Sequence, residues 1–251
     1  VDIQIRDAQI HNLRLIFLWF ASWKNGVSSY IPAWVKTNQD RFPRVQRKDG
    51  TSIEVLSTLS AANRDADARA FAALMRHIKQ VDTTRRVIMM QVENEVGVLG
   101  DSRDRCAAAN QAFEGPVPKG LLDYISSNKD RLHPQLRKAW EAAGSKTSGS
   151  WEQVFGKAPY TDELFMAWNY ASYMNKVASA GKAEYPLPMY VNTWCSMPGP
   201  DRGPGTYPSG GPEPQVQNIW MLAAPAIAIR SPALYSPNLP VGVEWFRESF
   251  A

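Results

Sequence analysis

Arg86–Gly97 reads RVIMMQVENEVG, and the fold turns on it. Val87-Ile88-Met89-Met90 is a continuous apolar run, the pattern of a strand buried on both faces in a parallel sheet. The run then breaks into Gln91, Glu93, Asn94 and Glu95, and Gly97 closes it. Glu, Asn and Glu at adjacent strand-end positions are costly to bury without partners or a task. In α/β barrels the chemistry sits where the parallel strands end. The stretch therefore predicts a catalytic carboxyl group at Glu95; the plainer alternative is a set of paired structural polar residues in a barrel mouth.

The units around it repeat. Val1–Asn12 (VDIQIRDAQIHN) reads as an amphipathic helix ending at the turn residue Asn12, and Leu13–Phe20 (LRLIFLWF) as a strand with the polar exit Ala21–Gly26 (ASWKNG). A helix running into a buried strand is half of a repeating unit, as if the chain opened inside a domain. Gln46–Leu59 alternates without clear chemistry. Ser60 opens a helix over 61–80 with Phe71, Leu74, Met75 and Ile78 on one face. Arg64, Asp65, Asp67, Arg69 and Arg76 are expected on its solvated face, and Asp82-Thr83 turn the chain back into the Glu95 strand.

A long excursion, 98–159, follows, with helix-like stretches at Leu121–Ile125 and Pro134–Ala143 and the linker-like GSKTSGS at Gly144–Ser150. Such an insertion on a catalytic face is expected to wall a site. Asp101, Arg103 and Asp104 read as surface residues, with reach toward a substrate as the alternative. Asp162–Ala180 is an amphipathic helix with Leu164, Phe165, Trp168, Tyr173 and Val177 at core spacing. Pro188–Val191 is a short strand delivering Asn192, Thr193 and Trp194, with Trp194 a candidate stacking platform. Met197–Pro214, dense in Pro and Gly, reads as a long loop before a helix at Gln215–Ala223. A strand over Ala226–Leu234 then delivers Tyr235. One barrel domain over residues 1–251 accommodates all of this.

Composition narrows the classes. The chain has 251 residues, 44% hydrophobic and 21% charged, as in an ordinary globular chain. Its net charge of +4 comes from dispersed basic residues, which argues against nucleic acid as a partner. The two cysteines, Cys106 and Cys195, and three histidines lack metal-ligand spacing, so neither a metal nor a cofactor is expected. No run of apolar residues is long enough to span a membrane, and no leader pattern is present.

Gln91–Gly97 (QVENEVG) resembles the acid/base strand of the glycoside hydrolase family 35 β-galactosidases, retaining enzymes on (β/α)8 barrels. Tyr30–Val35 (YIPAWV) resembles the GLPAWL segment after that family's third strand. The resemblance covers most of the chain but only the middle of the family's catalytic domain, about strands three to six. It implies an α/β TIM-barrel fold, here incomplete, and a β-galactoside or related oligosaccharide as partner. Glu95 is then the acid/base, Asn94 the partner of a sugar 2-hydroxyl, and Gln91 and Glu93 supporting or interior residues. Tyr235 is the implied partner of the nucleophile, and the family favours a secreted or periplasmic setting.

Two departures stand out. The family's galactose-binding Glu in the third strand's exit, AEW, is replaced by Ser22 in Ala21-Ser22-Trp23, so Trp23, Lys24 and Asn25 are expected to line the pocket instead. The family's nucleophile belongs to a seventh strand. Here Glu244 and Glu248 are the only carboxylates left, and neither follows a buried run. A β-glucosidase of the same clan and an inactive carbohydrate-binding relative therefore stand as alternatives, and the open edges of a partial barrel imply self-association.

Overall fold

The computed structural model describes residues 1–194, 203–233, 240, 243, 244 and 247. Its centre is a four-stranded, wholly parallel sheet. The chain opens with α1 (Asp2–Ile10) and β1 (Leu15–Trp19), a short helix α2 (Ala33–Lys36), and an antiparallel hairpin of β2 (Arg44–Gln46) and β3 (Ser52–Leu56). The long helix α3 (Ala61–Val81) leads to β4 (Val87–Val92). Helices α4 (Ala107–Glu114), α5 (Lys119–Ser127), α6 (Pro134–Ala142) and α7 (Trp151–Phe155) make up the excursion, and α8 (Pro159–Glu184) returns to β5 (Met189–Trp194). Helix α9 (Gln217–Ala223) precedes β6 (Ile229–Ala233).

The sheet order is β1-β4-β5-β6, so successive parallel strands are neighbours, with α3, α8 and α9 each preceding the next strand. That is the winding of a (β/α) barrel, and the four strands form an arc of one. The alternation of a strand sorts its side chains into two layers. Phe17, Trp19, Met90, Val92, Met189 and Val191 face the helices and belong to, or pack on, the main core. The register sets Ile16 beside Met89, Leu18 beside Gln91, Gln91 beside Tyr190 and Asn192 beside Ser231 on the inner face. Ile16, Leu18 and Ile229 on that face are exposed.

Helices α3 and α8 form the outer wall. Ser60 caps α3 by accepting the amide of Asn63, at 3.2 Å, and Phe71, Met75 and Ile78 are buried. Gly181 of α8 lies against the Phe71 ring so closely that any β-carbon would overlap it. Asp67 departs from the expected solvated face. It is 5% exposed and accepts Trp19 Nε1 at 2.8 Å, Ser22 Oγ at 2.8 Å and Tyr173 Oη at 3.1 Å. The helical period put it among charged neighbours, but its position one turn from Phe71 faces the strand exit.

The 98–159 excursion is helical, and α7 packs on α8. Asp101, Arg103 and Asp104 are not surface residues. Asp104 is fully buried and accepts Ser57 Oγ at 2.6 Å and the amides of Gln46 and Cys106, tying the excursion to the hairpin. Arg105 bridges Asp101 and Asp162, both at 2.9 Å, and Arg103 pairs with Asp162 at 3.2 Å. The segment 203–216 folds back over the start of α8 and pairs with the β4 exit through Val98 and Ser209.

Beneath that segment lies Glu163, fully buried, bonded to Gln215 Nε2 at 3.1 Å; the same amide contacts Tyr207 Oη at 2.8 Å. Burial, aided by Glu213, pushes its carboxyl up to about 8. The folded state thus holds a proton that the unfolded chain releases near 4.5. The resulting stability is complete below that pH and is lost as pH rises toward 8. Glu163→Gln is expected to flatten the decline in urea-unfolding free energy between pH 5 and 8 and to make the variant the more stable protein at pH 8. Parallel curves for the two proteins would contradict the assignment.

Candidate active site

The carboxyl end of β4 does not stop cleanly. Glu93 and Glu95 adopt left-handed backbone, with φ of 58° and 47°, and Gly97 follows at 144°. Left-handed conformations at non-glycine residues cost on the order of 1 kcal/mol or more and persist where surrounding contacts hold them. Gly97 is required, because a β-carbon there would collide with the backbone of Pro208. Two groups of contacts hold the turn.

The first is Glu93. Fully buried, its carboxylate accepts the amides of Ala21 at 3.0 Å, Ser22 at 2.9 Å and Trp23 at 3.0 Å. It thereby pins the exit of β1 to the exit of β4. Burial and the nearby Asp67 push its carboxyl well above the usual range, while the backbone amides pull it back. The second is an amide knot. Asn192 of β5 accepts the Glu95 amide at 2.9 Å and donates Nδ2 to Asn94 Oδ1 at 2.9 Å. Gln91 Nε2 contacts the side-chain oxygens of Asn94 at 2.9 Å and of Asn192 at 3.1 Å, and Asn94 Nδ2 donates to the Lys24 carbonyl at 2.8 Å. Three strand exits therefore set the orientation of Glu95.

The Glu95 carboxyl itself is half-buried, and among the described residues it makes no hydrogen bond or ion pair. Burial raises it above the ordinary carboxylic range, and the positive charge of Lys24 works against that rise. A carboxyl raised above its ordinary range, without a structural partner, suits exchange of a proton with a bound group.

The other expected site residues divide. Asn94 and Asn192 meet at Glu95, as above. Trp194 ends β5 on the same inner face as Asn192 and is 45% exposed, free to stack. Trp23 does not line a pocket. It is fully buried with edge contacts to Tyr170 and Tyr173, 5.3 and 4.8 Å between ring centres. The Glu93 clamp turns its backbone inward, and the large apolar ring is drawn under α8. Asn25 spends its oxygen on its own turn, accepting the Val27 amide at 3.0 Å and Ser28 Oγ at 2.9 Å. Ser22 is buried on the helical side, bonded to Asp67 and Tyr173. Tyr235 and Glu248 lie outside the described residues. Glu244 is exposed and paired with Arg247. The Glu93 clamp and the Asp67 network had no signal in the sequence beyond the presence of acidic residues. Among the described residues no cluster of His, Cys, Asp and Glu could hold a metal ion, and no helix is long and apolar enough to cross a membrane.

The fold resembles that of solved structures. A β-galactosidase from Bacillus circulans sp. alkalophilus superposes over 100% of this chain with a TM-score of 0.58 at 15% identity. The chain spans 35% of that protein's length. The catalytic domain of a β-amylase from Paenibacillus polymyxa matches 99% of this chain and 76% of its own, with a TM-score of 0.53 at 11% identity. No family model and no curated protein matches. The chain thus shares the parallel (β/α) barrel fold of these structures, over part of their length.

Two outcomes test the site's construction. Glu93→Gln offers one acceptor oxygen where a carboxylate served three amides, and is expected to cost about 2–4 kcal/mol of stability. Glu95→Gln, with no side-chain bond to lose, should stay within about 0.5 kcal/mol of the parent; chemical denaturation of both variants decides. Separately, Lys24→Met removes the charge opposing the rise at Glu95. A carbon-13 titration of the Glu95 carboxyl should move to higher pH in that variant, and an unmoved titration would place the Lys24 charge elsewhere.

Proposed function

We propose that this chain carries the acid/base half of a retaining, β-galactosidase-like glycoside hydrolase of the family 35 type, acting on terminal β-D-galactosyl residues. The observation that supports this most directly is Glu95: half-buried, raised in pKa, unpaired among the described residues, and presented by a strained turn at the mouth of a parallel sheet. The QVENE sequence, with Asn94 directly before Glu95, supports the same reading.

In this mechanism Glu95 gives its proton to the glycosidic oxygen as the C1–O bond breaks and a second carboxylate bonds to C1. The leaving sugar or alcohol departs protonated. Glu95, now a carboxylate, takes a proton from water, whose oxygen attacks C1 and releases the enzyme carboxylate. Trp194 stacks on an apolar sugar face. Asn94 reaches the 2-hydroxyl by exchanging one bond of the amide knot for the sugar.

Retention requires a nucleophile about 5–5.5 Å from Glu95. Glu93 is committed to three amides and Glu244 to Arg247, so neither is assigned that role. The same two commitments favour a second reading, a carbohydrate-binding relative without turnover, and the burial of Ser22 leaves glucosides open as substrates. Hydrolysis of an aryl β-galactoside beside the aryl β-glucoside separates these. Under the first reading the galactoside is cleaved and Glu95→Gln lowers kcat by about 10²–10⁴-fold while galactose still binds. Turnover unaffected by Glu95→Gln sinks the acid/base assignment, and binding without any turnover selects the second reading.

A further inference from the structure

On the helical side of β1 lies a cavity of about 140 Å³ whose lining includes none of Gln91, Asn94, Glu95 or Asn192. Its walls are aromatic: Trp19, Phe20, Tyr30, Trp34 and Phe42. Phe20 and Tyr30 stack at 5.8 Å, and Trp34 meets Phe42 edge-on at 5.4 Å. Tyr30 and Trp34 are 64% and 58% exposed, so large aromatic surface is left open to solvent at its edge. Ser22, Asn63 and Asp67 contribute the polar part of the lining.

The chemistry of that polar part restricts the occupant. Both Asp67 oxygens are already hydrogen-bonded, to Trp19, Ser22 and Tyr173. A sugar would have to bury several hydroxyls against a mainly apolar wall where Asn63 Oδ1 is a buried acceptor left without a partner, at a penalty for each further unmatched group. A purely apolar group would fill the space but leave the charge beneath it unanswered. Asp67 and Glu93 lie close enough to interact, and neither has an ion-pair partner within 4.0 Å among the described residues. Arg64 is spent on Asp65, and Arg41 sits over Phe42 at 5.1 Å without reaching Asp67. A buried carboxyl pair that is hydrogen-bonded but has no ion-pair partner among the described residues, set behind aromatic walls, suits a cation that needs no hydrogen bonds. Aromatic faces attract such cations through their quadrupoles.

We propose that this cavity is a binding site for a methylated ammonium group, a trimethylammonium head on a small molecule. A cavity of ~150 Å³ accommodates a ring the size of benzene, so a single compact head group is the right scale. The site is separate from the Glu95 mouth and stands or falls independently of the glycosidase reading.

Calorimetric titration of the full chain with choline, and with its uncharged isostere 3,3-dimethylbutan-1-ol, tests this. Choline is expected to bind at one site per chain, at least about tenfold more tightly than the isostere. Trp34→Ala, which removes an exposed wall, and Ala66→Leu, which fills the cavity from α3, should each weaken choline by about tenfold or more, with circular dichroism unchanged. Equal affinity for choline and the isostere would make this an apolar cavity only and overturn the proposal. So would no choline binding, or binding indifferent to both substitutions.

Discussion

One buried carboxylate holds the carboxyl ends of β1 and β4 in register. Glu93 accepts three consecutive amides from the β1 exit, Ala21, Ser22 and Trp23, across 70 to 72 residues of sequence. Loop amides at a strand end would otherwise be unsatisfied in the interior, and a carboxylate left without donors there would be equally costly. Each cancels the other's penalty only in this geometry. The left-handed backbone of Glu93 and Glu95 is tolerated because the clamp and the Asn192 knot hold it.

That constraint propagates in two directions. Toward the helices, it draws Trp23 under Tyr170 and Tyr173 and brings Ser22 to Asp67, so a charged helix residue becomes part of the core. Toward the inner face of the sheet, it leaves Glu95 projecting from a turn braced by Gln91, Asn94 and Asn192. The two carboxyl groups in one tetrapeptide thus have opposite duties. Glu93 is buried and bonded, and Glu95 is half-buried and unbonded, so one organises the backbone while the other can exchange a proton.

Much of the architecture was legible in residue order. The apolar runs at Leu13–Phe20, Val87–Met90 and Pro188–Val191 became β1, β4 and β5, and the helices at 61–80 and 162–180 became α3 and α8 with longer ends. Strand β5 ran three residues beyond its apolar run because Asn192 and Trp194 alternate onto the inner face of the sheet while Thr193 is buried on the helical side. The alternating 46–59 stretch proved to be hairpin, and Ala33–Lys36 a helical turn. The misreadings share a cause. Residue type alone places Asp67, Asp104 and Arg103 at the surface and Trp23 in a pocket, and type does not say which partner waits across the fold.

The sequence alone determined the period of each element, the order of strands and helices, and the placing of Asn94-Glu95 at the end of a buried strand. Those are local properties, set by side-chain size, polarity and spacing. Only the tertiary structure decided which acidic residues are buried and paired, that Trp23 is core while Trp194 is open, and that an aromatic cavity faces away from Glu95. Burial and hydrogen-bond partnership depend on residues tens of positions apart, and a carboxylate's charge and duty follow from those partners.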